Sequence, residues 1–204
     1  MHRREARVVT ATVLGHWQWD HLQVWQLPHT AGTRGEPQAR QVLAPVLGLA
    51  PEQLPISRSE RGRPQLGRPL EGQDVGWSHS GGHLLVALGQ GVRLGVDLER
   101  IQPRPRMAEV IARFFHPDEV AWLLGLEEAA RQQWFFRVWC AKEALLKAHG
   151  HGISFGLHRF AFAPQGQCLQ VSVSDPELGP AGSWQLREWA IGADFRAALA
   201  WQPL

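Results

Sequence analysis

Two acidic residues lie two positions apart in residues 95–99, within an otherwise apolar run. Because side chains at i and i+2 of a strand share a face, Asp97 and Glu99 would point together while Val96 and Leu98 enter the core. Two neighbouring carboxylates repel each other unless a cation lies between them. Mg²⁺ prefers such oxygen ligands and completes its shell with water and phosphate. The alternative is an exposed edge strand with its acidic residues toward water.

A third acidic residue belongs to residues 139–147, which contain Lys142, Glu143 and Lys147. Glu143 and Lys147 are four positions apart and would share a helix face, but surface ion pairs worth about 0.3–0.5 kcal/mol have the same spacing. Trp and Phe residues on several sides of this helix predict that it is largely buried. Charged side chains in a buried helix need partners, such as a metal ion or phosphates.

A turn rich in small polar residues precedes the acidic pair. Ser78, His79 and Ser80 are followed by Gly81 and Gly82. Such a turn can offer hydroxyls, backbone N–H groups and an imidazole to a phosphate. Ser and Gly are also ordinary turn residues, so the motif has little weight alone.

The elements that must position these residues are short strands and amphipathic helices. Periodicity and turn residues predict strands at 8–14, 22–27, 75–78, 84–88, 94–98, 159–163, 168–173, 184–189 and 195–201, and helices at 37–47, 107–115, from Pro117, and at 127–149. Residues 54–70 are predicted to be loop or irregular edge. We expect an α+β fold of two pseudo-symmetric α/β lobes, residues 1–100 and 101–204, each with a small, mostly antiparallel sheet packed against helices. The active site would lie in the cleft between them.

Composition limits the function classes. The chain has 204 residues, 44% of them hydrophobic, and a net charge of +2, which gives no reason to expect nucleic acid as a partner. Cys140 and Cys168 stand far apart and suggest neither a disulfide framework nor a zinc site. Cys140 is expected to be a buried free thiol, and the cytoplasm is the expected location. We see neither a signal peptide nor an apolar run long enough to cross a membrane.

The three motifs occur together in an order and spacing that resemble the 4′-phosphopantetheinyl transferase superfamily. Residues 113–119 also resemble the stretch between that family's two main motifs, and residues 61–64 resemble its Gly-Lys-Pro tract, with Arg63 in place of Lys. The similarity covers about residues 60–155. Chain length is similar to that of the Sfp-type branch, in which one chain carries both lobes.

The resemblance implies a reaction and a role for each site residue. Asp97, Glu99 and Glu143 would bind Mg²⁺, or Mn²⁺, against the pyrophosphate of coenzyme A. A serine hydroxyl of an acyl or peptidyl carrier protein would attack the β-phosphate, and 3′,5′-ADP would leave. Glu143 would take the serine proton and Lys147 would stabilise or protonate the departing phosphate. The remaining predicted coenzyme A contacts are Arg63, Ser78, His79 and Lys142.

The resemblance also predicts how partners bind. A carrier protein would dock on the loop after Gly150, near Ile153 and Phe155, and the chain is expected to be a monomer that binds neither nucleic acid nor membrane. Sfp-type enzymes often carry a basic N-terminal segment that helps bind coenzyme A, whereas residues 28–40 here offer only Arg34 and Arg40. Helix-cap and loop roles are expected for His116, His149 and His151.

Two alternatives remain open from the sequence. Another Mg²⁺-dependent phosphate enzyme would explain the carboxylates but not the Trp-x-x-Lys-Glu and Ser-His-Ser context. A non-catalytic relative that binds carrier proteins would not explain why all the charged residues are present. The sequence leaves open the identity of the carrier protein, and thus a role in fatty acid, polyketide or peptide synthesis.

Overall fold

A computed structural model of the protein describes residues 11–204 and confirms an α+β fold. The helices are α1 (Glu36–Val46), α2 (Met107–Phe114), α3 (Pro117–Leu124) and α4 (Glu128–His149). The strands are β1 (Gly15–Trp19), β2 (Leu22–Pro28), β3 (Ile56–Arg58), β4 (Pro64–Leu66), β5 (Gln73–Ser80), β6 (His83–Gln90), β7 (Val92–Arg100), β8 (Ala161–Gln165), β9 (Cys168–Val173), β10 (Gln185–Ile191) and β11 (Phe195–Pro203). Short 3₁₀ helices occupy Pro51–Gln53, Ile153–Phe155, Leu157–Arg159, Pro176–Leu178 and Ala181–Ser183.

The strands form small antiparallel sheets. One sheet has the order β1–β2–β6–β5 and a second has the order β10–β11–β7, while β3–β4 and β8–β9 are separate pairs. Strand β7 comes from the first half of the chain, yet it pairs with β11, the last strand, so that Asp97 lies opposite Ala198. The two halves of the chain are therefore joined through one sheet. Their division at residue 100 stays a prediction.

Helix α4 crosses the molecule against strand β7, and Gly95 allows the close approach. A Cβ at position 95 would lie 2.2 Å from the carbonyl oxygen of Ala144 and 2.3 Å from the backbone nitrogen of Ala148. Real Cβ atoms do not approach backbone atoms so closely, so any side chain larger than hydrogen would push the helix off the strand. The glycine thus sets the distance between the carboxylates of β7 and the charged residues of α4.

Three apolar clusters hold these elements in place. One lies between α1 and the first sheet, a second lies between the two larger sheets, and a third surrounds α4. In the third cluster, α4 buries side chains on nearly every side, including Phe135, Leu145 and Leu146. A helix that buries side chains on nearly every side lies inside a domain, as its aromatic content predicted.

Most predicted elements are confirmed, with small shifts at their ends. Helix α4 ends at His149, and Gly150 follows with φ +92°, the left-handed conformation common just after a helix. The predicted strand at residues 8–14 is not found as drawn: residues 8–10 lie outside the described part of the chain, and β1 begins at Gly15. Residues 54–70 contain the short pair β3–β4 as well as loop. Cys140 is a buried free thiol, as expected. Within residues 11–204, none of the helices combines the length and hydrophobicity needed to cross a membrane.

Candidate active site

Strand β7 and helix α4 bring four of the predicted site residues into one cleft. Asp97 and Glu99 of β7, and Glu143 and Lys147 of α4, line a cavity of about 770 Å³. The opposite wall comes from the loop before α1 and from the end of β5. The other lining residues are Thr33, Arg34, Gly35, Glu36, Arg58, Trp77, Ser78, His79, Leu98, Trp139 and Ile153.

Asp97 is the centre of a charged network at the base of the cleft. The Lys147 ammonium donates to Asp97 Oδ1 at 2.6 Å and to Ser78 Oγ at 2.8 Å, and Ser78 Oγ donates to Asp97 Oδ1 at 2.9 Å. Asp97 is 3% exposed, and its second oxygen, Oδ2, is buried without a hydrogen-bond partner. Burial lowers the pKa of Lys147, but the carboxylates of Asp97 and Glu143 outweigh burial and raise that pKa above its ordinary value. Lys147 is therefore a cation at neutral pH.

Burial and the charge of Asp97 disfavour the ionised form of the other two carboxylates. Burial and the Asp97 carboxylate raise the pKa of Glu143 to about 7, although Lys147 opposes the shift. Glu143 is 8% exposed, and its Oε1 atom is buried without a partner. Burial, followed by Asp97, also raises the pKa of Glu99, although Glu99 Oε1 accepts a hydrogen bond from Trp139 Nε1 at 3.1 Å. The cleft thus concentrates negative charge that its own residues neutralise only in part.

This donor set fits a hard divalent cation in its chemistry. Carboxylate oxygens are the ligands that Mg²⁺ prefers, and Asp97 and Glu143 each present a buried oxygen that lacks a partner. Among residues 11–204, however, no three acidic, His or Cys side chains are already drawn together as a ligand set. Side-chain rotation of Asp97, Glu99 or Glu143 would be needed to surround one ion.

Cationic and aromatic groups line the opposite end of the cleft. His79 stacks on His29 at 4.5 Å, and burial, His29 and Lys147 together lower the pKa of His79. The Arg58 guanidinium lies 4.9 Å above the ring of Trp77 and forms a 2.8 Å ion pair with Glu36. Sequence reasoning missed Arg58 and Glu36, because nothing in a loop or a helix start signals that its charge faces a distant strand.

Two arginines named from the sequence lie elsewhere. Arg63 forms an ion pair with Asp74 and donates to the backbone oxygens of Lys147 and Leu94, both at 3.1 Å. Arg40 is held by Glu36 and by backbone oxygens of the loop that follows α1. Neither side chain lines the cleft. Arg63 thus ties β7, α4 and the β3–β4 pair together in this conformation, and its contact with the nucleotide stays a prediction.

Lys142 also departs from its predicted role. It is 0% exposed and points into the cluster around α4, where it pairs with Glu119 at 2.8 Å and donates to the carbonyl oxygens of Leu157 and Phe160 at 2.7 and 2.5 Å. Burial lowers the pKa of Lys142 to about 8, against the effect of Glu119. With all its donors directed at protein groups away from the cleft, Lys142 does not contact a ligand there, and we correct its cofactor-binding prediction.

The loop after Gly150 divides into an exposed and a buried part. Ile153 is 55% exposed and lines the cleft, whereas Phe155 is buried and packs against His149 and His151. Of the two apolar residues predicted for docking, only Ile153 is available at the surface. His116 caps α3, since its Nδ1 accepts a hydrogen bond from the Asp118 backbone N–H at 3.2 Å. The expected helix-cap role of His116 is confirmed.

Comparison with known proteins supplies a family. The profile of the 4′-phosphopantetheinyl transferase superfamily matches residues 93–200, just over half of the chain. That range contains the carboxylates of β7 and the charged residues of α4, while Ser78 and His79 precede it.

Individual relatives agree with the profile. The chain is 34% identical over 169 residues to the Synechocystis protein slr0495, provisionally named a 4′-phosphopantetheinyl transferase, covering 79% of this chain and 68% of that protein. It is 33% identical over 179 residues to the 4′-phosphopantetheinyl transferase HetI of Nostoc, covering 84% of this chain and 72% of that protein. It is 28% identical over 143 residues to the 4′-phosphopantetheinyl transferase Sfp of Bacillus subtilis, covering 70% of this chain and 62% of that protein.

Among solved structures, a Chronobacterium ammoniagenes ACPS–CoA complex gives a TM-score of 0.38 at 21% identity, covering 56% of this chain and 98% of that one. A likeness this low carries no argument about the site. The profile match and the sequence relatives show the family, and the matched range includes β7 and α4. By that match, this chain belongs to the 4′-phosphopantetheinyl transferase superfamily and is a transferase.

Proposed function

We propose that the protein transfers the 4′-phosphopantetheine group of coenzyme A to a serine of an acyl or peptidyl carrier protein, releasing 3′,5′-ADP, with Mg²⁺ as its metal. One observation carries this proposal. Three carboxylates from two elements, together with Lys147, line one cleft, and two of their buried oxygens lack partners. A purely structural cluster of buried groups would be expected to satisfy its own oxygens.

Asp97, Glu99 and Glu143 are the residues that would hold the metal. When bound, Mg²⁺ neutralises and orients the diphosphate of coenzyme A, as phosphoryl transfer requires. The carboxylates supply a negative site that attracts the cation, and the Lys147 ammonium, now shared between Asp97 and Ser78, is free to meet a phosphate oxygen if the cation takes its place.

In the transfer step, the serine oxygen forms a bond to the β-phosphorus while the bond from that phosphorus to the oxygen of 3′,5′-ADP breaks. The serine proton goes to a base, and we assign this role to Glu143 because its unpartnered carboxylate oxygen belongs to the same cleft. Lys147 stabilises the charge that collects on the departing phosphate, since its pKa keeps it protonated.

We assign the nucleotide end of coenzyme A to the wall of the cleft formed by the end of β5 and the loop before α1. Ser78 adjoins Asp97 and Lys147, His79 follows it along β5, and Arg34 and Arg58 add guanidinium groups to the same wall, with Arg58 paired to Glu36. Cations in a concave site attract a polyanionic nucleotide and raise its local concentration. Arg58 thereby takes the place that the sequence had suggested for Arg40.

The carrier protein would approach at the exposed rim of the cleft near Ile153. An exposed apolar residue beside charged groups suits a transient interface, which has an apolar centre and a polar rim. We propose the monomer as the active form, because both β7 and α4, which supply the site, belong to one chain.

Intact-mass spectrometry tests the proposal. An apo acyl carrier protein incubated with the protein, coenzyme A and Mg²⁺ should gain the mass of one phosphopantetheine. Glu143→Ala should slow the gain by about 100-fold or more, the usual effect of removing a general base. EDTA should abolish it. The matched control is Glu128→Ala, which removes an exposed carboxylate at the other end of the same helix. No mass gain with several carrier types, from a folded protein that binds coenzyme A, would favour a non-catalytic relative instead.

A further inference from the structure

Trp139 contacts one of the three carboxylates in a way that the reaction scheme leaves unused. On α4, Trp139, Glu143 and Lys147 follow one another at intervals of four and line the same cleft. The indole Nε1 of Trp139 donates to Glu99 Oε1 at 3.1 Å, across the gap between α4 and β7. An indole N–H can only donate, so Glu99 is the acceptor, here through Oε1.

The indole itself is held on its faces. Its ring stacks on Phe135 at 5.6 Å with planes 27° apart and on Phe115 at 6.2 Å with planes 26° apart. The guanidinium of Arg104 lies 5.0 Å above it. A ring confined by stacking on this scale cannot turn without disrupting its neighbours, so the direction of its N–H bond is set by the fold.

We propose that Trp139 is a positioning residue for Glu99: its N–H holds one carboxylate oxygen so that the other is presented to a divalent cation in the cleft. The inference rests on the proposed function, because it assumes that Glu99 is a metal ligand. Glutamate has three rotatable side-chain bonds, and ordering it in advance reduces the entropy that a ligand must otherwise remove. The indole is neutral, so it orders Glu99 without competing for its charge.

Asp97 provides the contrast. Its ordering partner is the Lys147 ammonium, a cation that a metal ion must displace or share. The two metal-facing carboxylates of β7 are therefore held in different ways, one by a charged group that can move to a phosphate and one by a fixed neutral donor. Outer partners of metal ligands usually contribute 10- to 100-fold to metal affinity.

The test is Mn²⁺ binding to the full-length protein, followed by the electron paramagnetic resonance of free Mn²⁺, alone and with coenzyme A but without carrier protein. Trp139→Phe retains an aromatic ring and lacks the N–H, and it should weaken binding by about 10- to 100-fold. Trp134→Phe is the matched control on the same helix, because Trp134 packs against Trp122 and Arg137 outside the cleft. It should leave binding unchanged.

A double-mutant cycle separates positioning from packing. In a Glu99→Ala background, Trp139→Phe should change Mn²⁺ affinity by less than about twofold, since the group through which it acts is gone. In turnover, Trp139→Phe should raise the Mg²⁺ concentration needed for half-maximal rate while the rate at saturating Mg²⁺ recovers. An equal loss of affinity in both backgrounds, or no loss in either, would overturn the inference.

Failure of the inference can be told from failure of the proposed function. If the wild-type protein binds no Mn²⁺ with or without coenzyme A, the metal part of the proposed function is refuted and the inference with it. If the wild type binds Mn²⁺ and Trp139→Phe binds it equally well, the inference alone is refuted. Should the Phe variant lose its thermal unfolding transition, β-(3-benzothienyl)alanine at position 139 keeps the bicyclic shape without the N–H, and the same comparison applies.

Discussion

Replacing Lys142 with Met tests whether this lysine of α4 stabilises the fold or contacts coenzyme A. Both Lys142 and Glu119 are 0% exposed, and their ion pair measures 2.8 Å. The variant would leave an uncompensated carboxylate in the core and would remove the donor to the carbonyl oxygens of Leu157 and Phe160. Removing one partner of a buried pair typically costs about 3–5 kcal/mol.

That loss is a large part of the stability of any domain, which is about 5–15 kcal/mol. Urea unfolding with a slope of about 2 kcal/mol per molar would register it as a fall of about 1.5–2.5 M in the midpoint. Glu119→Gln combined with Lys142→Met should recover at least half of the loss, because it removes the buried charge. The Gln oxygen can still accept the hydrogen bond that the Phe162 N–H now donates to Glu119 at 2.8 Å.

Kinetics on the folded fraction supply the other half of the test. If Lys142 serves the fold, the KM for coenzyme A should stay within about twofold of the wild-type value once activity is corrected for the folded fraction. A Lys142→Met protein as stable as wild type, with a KM for coenzyme A raised about tenfold, would show that Lys142 reaches the ligand after all. It would refute the assignment drawn from its contacts.

Three further outcomes are expected. Gly95→Ala should destabilise the protein by at least about 3 kcal/mol in urea unfolding, the upper end of overpacking costs, because its Cβ would overlap the α4 backbone. The control Gly72→Ala should be tolerated, because the space around Gly72 is open. The pKa of His79 is lowered in the folded protein, so its contribution to stability is present above pH 6.5 and is lost as the pH falls through the folded-state pKa. Thermal unfolding should therefore show that the wild type loses stability relative to His79→Gln between pH 7.5 and 5.5. Arg63→Gln should lower the urea midpoint, because it leaves Asp74 buried without its cation. A fall in coenzyme A affinity, measured by calorimetry on the folded variant, would confirm the predicted nucleotide contact of Arg63 as well.

Local sequence patterns predicted the helices and strands, whereas contacts between distant parts of the chain determine which residues line the cleft. The alternation around Asp97 and Glu99 correctly predicted a strand with both carboxylates on one side, because that property depends only on the two-residue period. The pairing of that strand with the last strand of the chain could not be predicted, since no local pattern encodes a partner a hundred residues away. Arg58 entered the cleft for the same reason: its place depends on Trp77 and Glu36, which belong to other elements.

Helix geometry explains the one misassigned charge and could have prevented the error. With 3.6 residues per turn, neighbouring residues are about 100° apart, so Lys142 points away from Glu143 and toward Glu119. Residues four apart differ by only about 40°, which aligns Trp139, Glu143 and Lys147 on the active-site face. The helix therefore carries two separate ion-pair systems, one that fastens α4 to α3 through Glu119 and one that meets the carboxylates of β7. In this Lys-Glu sequence, the face shared by Trp139, Glu143 and Lys147 assigns the glutamate to the cleft and leaves the adjacent Lys142 to the ion pair with Glu119.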